Sequence, residues 1–200
     1  LPNHWDGPVA QEELGRLGAP AIPALVKVLE DQAPGTPGPK AAVQALVAGG
    51  PPQLERVRTF LDHAQAQVRA GIATVSGLIA ERWGRYINEP VQTATVAKLA
   101  ERLADADPSV RLAAVKAVRP FGTRAVACFP ALVEMLSAAD ADVQWQAAQT
   151  LGALGAEAVP AAVAALRSEN AVARQYAAYA LAKMGGGGGG GRAGSRGGVA

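Results

Sequence analysis

The sequence predicts an all-α fold, a solenoid of about five helical hairpins followed by one terminal helix. Half of the residues are apolar but only 4% are aromatic, and a composition dominated by Ala, Leu and Val favours closely packed helices over a β-sandwich. Two sequence phrases also recur along the chain, which indicates a stacked repeat. A single hairpin cannot bury its apolar stripe, so each repeat would depend on its neighbours for stability.

The first phrase marks the first helix of a hairpin, helix A. It begins at Asp107, Asp140 and Asn170 as DPSVRLAAVKAV, DADVQWQAAQTL and NAVARQYAAYAL. Its apolar residues recur every four positions and therefore share one helix face. The Asp107 side chain can accept from free backbone N–H groups, and Pro108 loses no hydrogen bond in the first turn, so this pair marks a helix start.

Small residues and glycines complete helix A. Pairs such as Ala113 and Ala114 let neighbouring helices approach closely, and Gly122 and Gly155 predict its end, because glycine adopts a positive φ at the least cost. The second phrase marks helix B, whose apolar residues follow an i, i+3, i+7 stripe. The members of this stripe are Ile22, Leu25, Leu29; Leu54, Val57, Leu61; Val96, Leu99, Leu103; and Val159, Ala162, Leu166.

Together the phrases predict the boundaries of the array. The expected hairpins span about residues 6–31, 39–62, 66–105, 108–138 and 141–168, and a lone helix spans 170–184. Residues 185–200 are Gly-rich and of low complexity, so burial cannot offset their ordering entropy and we predict that they are disordered. The chain is therefore predicted to consist of a repeat array, residues 1–184, and a tail.

The helix A phrase, followed by a helix B that begins A-I-P-A-L, resembles the HEAT repeat, in particular the short bacterial kind also found in phycobilin lyase subunits. The match is strong over residues 106–184, good over 14–31 and weaker over 39–105. In that middle region Ser76 occupies a position that is usually Leu, and Trp83–Pro90 lengthens a turn. The resemblance implies an armadillo-like superhelix whose B helices line its concave side.

The resemblance also implies a structural role for charged residues of helix A. Asp107 and Arg111 resemble the ladder of Asp and Arg side chains that links neighbouring HEAT repeats, and Arg69 and Arg174 occupy the same position as Arg111. We therefore predict that these four residues stabilise the stack. Contact with a partner is the alternative role for them.

Few residues support catalysis or metal binding. His4 and His63 are the two histidines, and their spacing does not place two ligands on one helix face. No His-Glu pair occurs, which argues against the iron-dependent hydroxylases among HEAT-type enzymes. Cys128, the single cysteine, has no histidine near it in sequence, so we expect a buried thiol rather than a nucleophile. The sequence predicts no metal, no cofactor and no enzyme activity.

A glycosylase built from HEAT-like repeats is the enzymatic alternative. Trp83, Trp145, Asp105 and Asp107 are the aromatic and carboxylate groups that such a site would use. A helix-capping role for Asp107, next to Pro108, is the stronger interpretation of these residues. We therefore predict no catalytic residue.

Charge argues against nucleic acid as the main partner. The net charge is +2, and Arg192 and Arg196 of the tail account for this excess, so only a local patch of the array could bind DNA. The two tail arginines lack interleaved aromatic residues, which weakens an RNA-binding role for the tail. No apolar stretch approaches the length of a membrane-spanning helix, so we predict no membrane segment and expect a cytoplasmic protein.

We predict a non-catalytic scaffold that binds a partner protein in a concave groove. The predicted groove residues are helix B positions that face away from the apolar stripe: Lys27, Arg56, Thr59, Lys98, Arg102 and Glu134. Their mixed charges suit a protein surface better than a phosphate backbone. One alternative is a phycobilin lyase-like accessory or chaperone subunit, and another is nucleic-acid binding through a local groove patch.

Three aromatic residues fall off the apolar stripe of the last two A helices. One interpretation of Trp145, Tyr176 and Tyr179 is a semi-exposed cluster. The other, which we favour, is that these rings cover the end of the array.

Overall fold

The computed structural model of the chain describes residues 8–186, with side chains over residues 19–185. This part of the chain is helical and contains no strand. Its α-helices are α1 (Pro8–Asp31), α2 (Pro37–Ala48), α3 (Pro51–Val57), α4 (Ala66–Trp83), α5 (Glu89–Leu103), α6 (Pro108–Val118), α7 (Phe129–Met135), α8 (Ala141–Leu154), α9 (Val159–Ala165) and α10 (Ala171–Gly186). Short 3₁₀ segments accompany them at Arg58–Asp62, Gly84–Tyr86, Arg119–Cys128 and Gly155–Ala158.

The helices form two layers. The A layer consists of α2, α4, α6, α8 and α10, each packed against the next, and the B layer consists of α1, α3, α5, α7 and α9 in the same arrangement. An A helix and the B helix that follows it form one hairpin, and successive hairpins stack side by side. Following the sequence prediction, the hairpins α2–α3, α4–α5, α6–α7 and α8–α9 are numbered second to fifth. This architecture confirms the predicted α-solenoid.

The connections between helices gather at two opposite edges. Turns within a hairpin, from A helix to B helix, form what we call the A–B edge, and turns between hairpins form the B–A edge. Because stacked hairpins run in the same direction, all turns of one kind lie side by side. The A–B turns lie at residues 49–50, 84–88, 119–128 and 155–158, and the B–A turns lie at 32–36, 63–65, 104–107, 136–140 and 166–170.

The first predicted hairpin is not formed. In place of a hairpin over 6–31, residues 8–31 belong to the single helix α1. In the equivalent position of the last hairpin, Gly155 has a φ of 80° and reverses the chain. Gly18 stays helical instead, so no turn separates helix A from helix B. The C-terminal part of α1 nevertheless occupies the place of a B helix.

The predicted packing stripe of this first B helix is confirmed. Ile22 and Leu29 are 5% and 3% exposed, although Pro20 and Pro23 lie inside the helix. Proline in a helix interior costs about 3 kcal/mol because it removes a backbone donor and crowds the preceding turn. Burial of the stripe against α2 and α4 offsets this cost.

Predicted helix starts and ends are confirmed in the later hairpins. Asp107 Oδ1 accepts a hydrogen bond from the backbone N–H of Ser109 at 2.8 Å, and Pro108 is the first residue of α6. Gly122, with φ 57° and ψ −134°, and Gly155, with φ 80° and ψ −151°, turn the chain from the A layer to the B layer. These angles are essentially restricted to glycine.

One continuous core runs between the two layers. Among its largest fully buried side chains are Leu46, Leu54, Leu61, Ile72, Ile79, Leu99, Leu103, Leu132, Leu136 and Leu151. The A helices approach most closely where Gly77 of α4 meets α6, since a β-carbon added there would lie 2.7 Å from Cα of Ala117. Ser76 is also fully buried, and its hydroxyl donates to the Ile72 carbonyl at 2.8 Å. Small and locally satisfied residues therefore set the spacing of the A layer.

Helix α10 ends at Gly186, so the first two residues of the predicted tail, Gly185 and Gly186, are helical. The remaining tail residues, 187–200, lie outside the described residues, as does His4. The division into an array and a disordered tail stays a prediction.

Candidate functional site

Charged residues converge at the B–A edge between the second and third hairpins. Asp62 lies 2.8 Å from Lys98 Nζ and 3.7 Å from Arg102 Nη2, both on α5. Lys98 Nζ also lies 3.3 Å from Glu101, and Arg102 Nη1 donates to the Leu61 carbonyl at 3.2 Å. Hydrogen bonds to Asp62 and Glu101 raise the pKa of Lys98. These contacts join α5 to the preceding hairpin.

A buried ion pair continues this line to the fourth hairpin. Nε and Nη2 of Arg69 donate to the two carboxylate oxygens of Asp105, each at 2.8 Å, and the side chains are only 14% and 5% exposed. The backbone N–H of Asp107 also donates to Asp105 at 3.0 Å. The hydrogen bond from Arg69 holds the pKa of Asp105 below its usual value, although burial opposes this effect. The pair links α4 to the turn before α6.

The predicted ladder arginines share a second geometry. In each of them Nη1 donates to two backbone carbonyls five and six residues earlier, in the B–A turn that precedes its helix. The acceptors are His63 and Ala64 for Arg69, Asp105 and Ala106 for Arg111, and Ser168 and Glu169 for Arg174, at 2.8–3.0 Å. Gln144 reaches the Ala138 carbonyl of its own turn at 2.6 Å. This position of helix A therefore braces each B–A turn.

The predicted pair between Asp107 and Arg111 is not formed. Asp107 accepts from the backbone N–H and the hydroxyl of Ser109, at 2.8 and 2.6 Å, and the side-chain hydrogen bond lowers the pKa of Asp107. A carboxylate at a helix start is drawn to the free N–H groups there. The aspartate that links neighbouring repeats is Asp105, and its partner is Arg69.

Three of the six predicted groove residues, Lys27, Lys98 and Arg102, are engaged by carboxylates of the chain itself. Lys27 lies on α1, is 63% exposed, and its Nζ is 3.0 Å from both Glu30 and Asp31. Hydrogen bonds to these carboxylates, Asp31 first, raise its pKa. These cations are therefore accessible but already neutralised.

The other three predicted groove residues carry no ion pair within the part of the chain that the structure describes. The hydroxyl of Thr59 donates to the Arg56 carbonyl at 3.2 Å, so it is satisfied locally. Arg56, in α3, and Glu134, in α7, have exposed side chains. Among the six predicted groove residues, these two are the charges most available to a partner.

His63 connects α1 to the second hairpin. Its Nε2 lies 3.1 Å from Glu30 Oε1, and its Nδ1 accepts from the backbone N–H of Gln65 at 3.2 Å. Both ring nitrogens are therefore engaged by the protein. Among the described residues no three His, Cys, Asp or Glu side chains are grouped so that they could hold a metal ion.

Cys128 is confirmed as a core thiol. It is fully buried, and its Sγ donates a weak hydrogen bond to the Val96 carbonyl at 3.8 Å. Burial raises the pKa of the thiol to about 12, which disfavours the thiolate that a nucleophile requires.

The residues weighed for a glycosylase site do not share one location. Asp105 is paired with Arg69 at the B–A edge, whereas Trp83 closes α4 at the A–B edge, with Arg82 stacked on its ring. Trp145 lies in α8, two hairpins further on. The carboxylates are thus occupied by structural hydrogen bonds.

The three off-stripe aromatic residues lie together. The ring centroid of Trp145 lies 4.8 Å from that of Tyr179 and 6.5 Å from that of Tyr176. Trp145 is 38% exposed and the two tyrosines are half-buried. The rings pack α8 against α10. Their centroid distances lie in the range at which tilted aromatic pairs attract.

The A layer and the A–B edge carry features that the sequence did not point to. A pocket of about 300 Å³ lies between α4, α6 and α8, lined in part by Leu78, Lys116, Arg119 and Gln149. Gly77 also lines this pocket, but a lone glycine in the sequence does not specify one.

Among the helices of the described residues, none combines the length and the hydropathy needed to cross a bilayer.

The comparisons agree with this geometry. Residues 129–188 match a family model described as HEAT repeats. The chain is an α-solenoid of HEAT-like repeats. No curated protein matches its sequence significantly.

Three solved structures illustrate the similarity. The complex of CpcE and CpcF of phycocyanin lyase from Nostoc sp. PCC7120 has a TM-score of 0.59 and 20% identity, over 81% of this chain and 98% of that one. A designed armadillo repeat protein in complex with the peptide (KR)4 has a TM-score of 0.53 and 19% identity, over 92% and 95%. An engineered protein has a TM-score of 0.53 and 22% identity, over 87% and 78%.

Proposed function

We propose that the HEAT-like array is a non-catalytic scaffold that holds a partner protein along its B layer, on the concave side that the repeat type implies. The observation that supports this most directly is that the B layer presents exposed charges of both signs, Arg56 on α3 and Glu134 on α7, which carry no ion pair among the described residues. Other B-layer charges, such as Lys98 with Asp62, are paired within the chain. Complementary charge on a partner gives such a surface specificity and a fast association rate.

The ion pairs of the B–A edge support the same proposal. They hold Lys98 and Arg102 against Asp62, and they tie α5 to the neighbouring hairpin. A surface whose side chains are ordered before binding loses less conformational entropy when the partner arrives. The B–A edge therefore offers an extended binding surface whose charged side chains are ordered in advance.

The fold comparison adds an analogy. The similar designed armadillo repeat protein was solved in complex with a peptide, so a stack of this shape can present a peptide-binding face. Fold alone does not specify a ligand, and the side chains named above would determine the partner here.

A charge-reversing variant with unchanged net charge tests the proposal. Arg56→Glu combined with Glu134→Arg alters the two most available B-layer charges, and Lys40→Glu combined with Glu81→Lys makes the same exchange on the A layer as a control. All four side chains are exposed, so both variants should keep the wild-type circular dichroism and melting temperature. The measurement is quantitative capture of proteins from a lysate of the source cells.

We expect the wild type and the A-layer control to capture the same discrete protein. The B-layer variant should capture it at least about tenfold less, because reversed charges repel a surface that was complementary. Equal capture by both variants would place the binding surface elsewhere and contradict the proposal.

A second candidate function is an accessory subunit for bilin attachment. The similarity to the complex of CpcE and CpcF of phycocyanin lyase, at a TM-score of 0.59, favours it at the level of fold only. It predicts that adding a bilin to the protein changes the visible absorbance spectrum of the bilin. An unchanged spectrum at micromolar protein would remove this candidate.

A further inference from the structure

We propose that the A–B edge of the third and fourth hairpins binds a short acidic segment of a partner protein. Four exposed arginines form this site, which we call the arginine edge: Arg82, Arg85, Arg119 and Arg124. It lies apart from the B-layer surface and does not depend on the function proposed for that surface.

Several cations of the B–A edge are paired with carboxylates of the chain, whereas, among the described residues, those of the arginine edge are not. At the B–A edge Arg69, Lys98 and Arg102 are each paired with a carboxylate of the chain. Within residues 19–185, by contrast, none of the four arginine-edge side chains forms an ion pair or a side-chain hydrogen bond, and Glu81 and Glu89 close by in sequence leave them unpaired. The charge of the arginine edge is therefore available to an external anion.

Two of the four guanidinium groups are held in place by aromatic rings. The guanidinium carbon of Arg82 lies 4.8 Å from the ring centroid of Trp83, and that of Arg85 lies 4.8 Å from the ring centroid of Tyr86. Stacking occupies the flat face of a guanidinium but leaves the N–H groups at its rim free. Those N–H groups match the two oxygens of a carboxylate.

Buried hydrogen bonds hold the turn that carries Arg85 and Tyr86. The side-chain amide of Gln92, only 4% exposed, donates to the Gly84 carbonyl at 3.0 Å and to the Ile87 carbonyl at 2.7 Å. Asn88 then caps α5 by accepting from the Val91 N–H at 3.0 Å. Because the buried amide donates to two carbonyls of the turn, the backbone that carries Arg85 is fixed before any ligand binds.

The third and fourth hairpins bring their arginines to one place. Helix α4 packs against α6 and against the segment Arg119–Cys128, so the two A–B turns are neighbours. Packed helices lie about 8–10 Å apart, and an extended chain advances about 3.3 Å per residue. The two turns are therefore separated by about three residues of extended chain, and an acidic segment of about six residues is long enough to contact both.

Charge and extent identify the occupant. The neighbouring A–B turns, Gly49–Gly50 and Gly155–Ala158, carry no cation, so the positive row stops after two hairpins. A polynucleotide, whose charge repeats along its length, would favour a longer row. The tail of this chain carries the cations Arg192 and Arg196, which the arginine edge repels. A second copy carries no run of more than two consecutive acidic residues, so it does not supply an acidic segment of this length.

Fluorescence anisotropy with a fluorescein-labelled hexaglutamate peptide tests this inference on the full chain. The edge variant Arg85→Gln/Arg119→Gln/Arg124→Gln is compared with the control Lys40→Gln/Arg58→Gln/Arg167→Gln, which removes the same charge elsewhere. Hydrogen exchange of the wild type with and without peptide gives a second readout that does not depend on a variant. A labelled thymidine hexanucleotide is the comparison ligand.

We expect the wild type and the control to bind the peptide with similar affinity. The edge variant should bind about tenfold more weakly, since three exposed ion pairs are lost, and exchange should slow at residues 84–88 and 119–124. Failure of the wild type to bind, equal weakening of both variants, or protection confined to other residues would overturn the inference. Tighter binding of the oligonucleotide than of the peptide at the same edge would also overturn it.

Discussion

At the scale of single residues, Asp105 and Asp107 show how two similar carboxylates acquire different roles. Both precede α6, and the repeat pattern predicted that Asp107 would pair with an arginine. The cap position directs Asp107 to the helix N–H groups, while Asp105, two residues earlier, reaches Arg69 across the hairpin boundary. Sequence spacing identified the arginine but not its partner, because the direction of a turn decides which carboxylate faces the neighbouring repeat.

The Asp105–Arg69 pair should make stability depend on pH. The pKa of Asp105 is lowered in the folded protein, so its contribution is fully present above the unfolded pKa of about 3.9 and is lost as the pH falls through the folded pKa. We expect Asp105→Asn to lower the free energy of unfolding by about 2 kcal/mol at pH 7, with a smaller difference at pH 3. Urea denaturation at both pH values measures this.

The control for this experiment is Asp142→Asn, which changes an exposed aspartate with no ion pair among the described residues. Its effect on stability should stay within about 0.5 kcal/mol. An Asp105→Asn variant as stable as wild type at pH 7 would show that the buried pair does not stabilise the stack.

Gly77 is predicted to be required for close packing of the A layer. A β-carbon there would lie 2.7 Å from the backbone Cα of Ala117, which cannot move aside as a flexible side chain can. Gly77→Ala should therefore destabilise the protein by about 1–3 kcal/mol. Gly84→Ala is the matched control, since no atom lies within 4 Å of its added β-carbon and its φ is −50°. Similar unfolding midpoints for the two variants would contradict this account of the packing.

At the scale of elements, the repeat phrases correctly predicted where helices occur. They wrongly predicted a hairpin over the first repeat. Its glycines and prolines match those of the last hairpin, yet only Gly155 takes the positive φ that makes a turn. A glycine permits such a turn without requiring it, and the surrounding alanines favour helix. Local sequence therefore left two outcomes open for residues 8–31, and the packing of α1 against its neighbours decides between them.

The turn at Gly122 provides the corresponding element-level prediction. With φ 57° and ψ −134° and no atom within 4 Å of an added β-carbon, replacement by alanine introduces backbone strain but no clash. Gly122→Ala should cost about 1–3 kcal/mol, and thermal unfolding measures the loss. A melting temperature equal to that of wild type would mean that the turn relaxes to a conformation that alanine tolerates.

At the scale of the whole molecule, stability should be largely local, since beyond α1, which also packs against α4, the hairpins contact mainly their neighbours. Leu136 and Leu166 occupy equivalent positions after α7 and α9, but Leu136 is fully buried and Leu166 is 38% exposed. We expect Leu136→Ala to cost about 2–5 kcal/mol and Leu166→Ala less than about 1 kcal/mol. Urea denaturation of both variants measures the loss in unfolding free energy. Equal losses for the two variants would contradict nearest-neighbour stacking.

The whole-molecule surface was only partly predictable. Residue types that face away from the apolar stripe can be identified from periodicity, and this placed Arg56 and Glu134 on the B layer. The ion pairs of Lys27 with Glu30 and Asp31 have the i,i+3 and i,i+4 spacing of a single helix and were readable from the sequence. The pairing of Lys98 and Arg102 with Asp62 was not, because Asp62 is remote in sequence and comes from the preceding hairpin. The arginine edge was missed for the same reason, since Arg82 and Arg119 belong to different hairpins.

Site-specific photocrosslinking tests the central claim, that the B layer of the array is a protein-binding surface. A photoreactive phenylalanine analogue replaces Glu134 on the B layer or, as control, Lys40 on the A layer, and each protein is irradiated in a lysate of the source cells. The account predicts one discrete crosslinked protein from position 134, lost when Arg56→Glu is added, and none from position 40. The same crosslinked protein from position 40 alone, or a crosslink at position 134 that Arg56→Glu leaves unchanged, would contradict it.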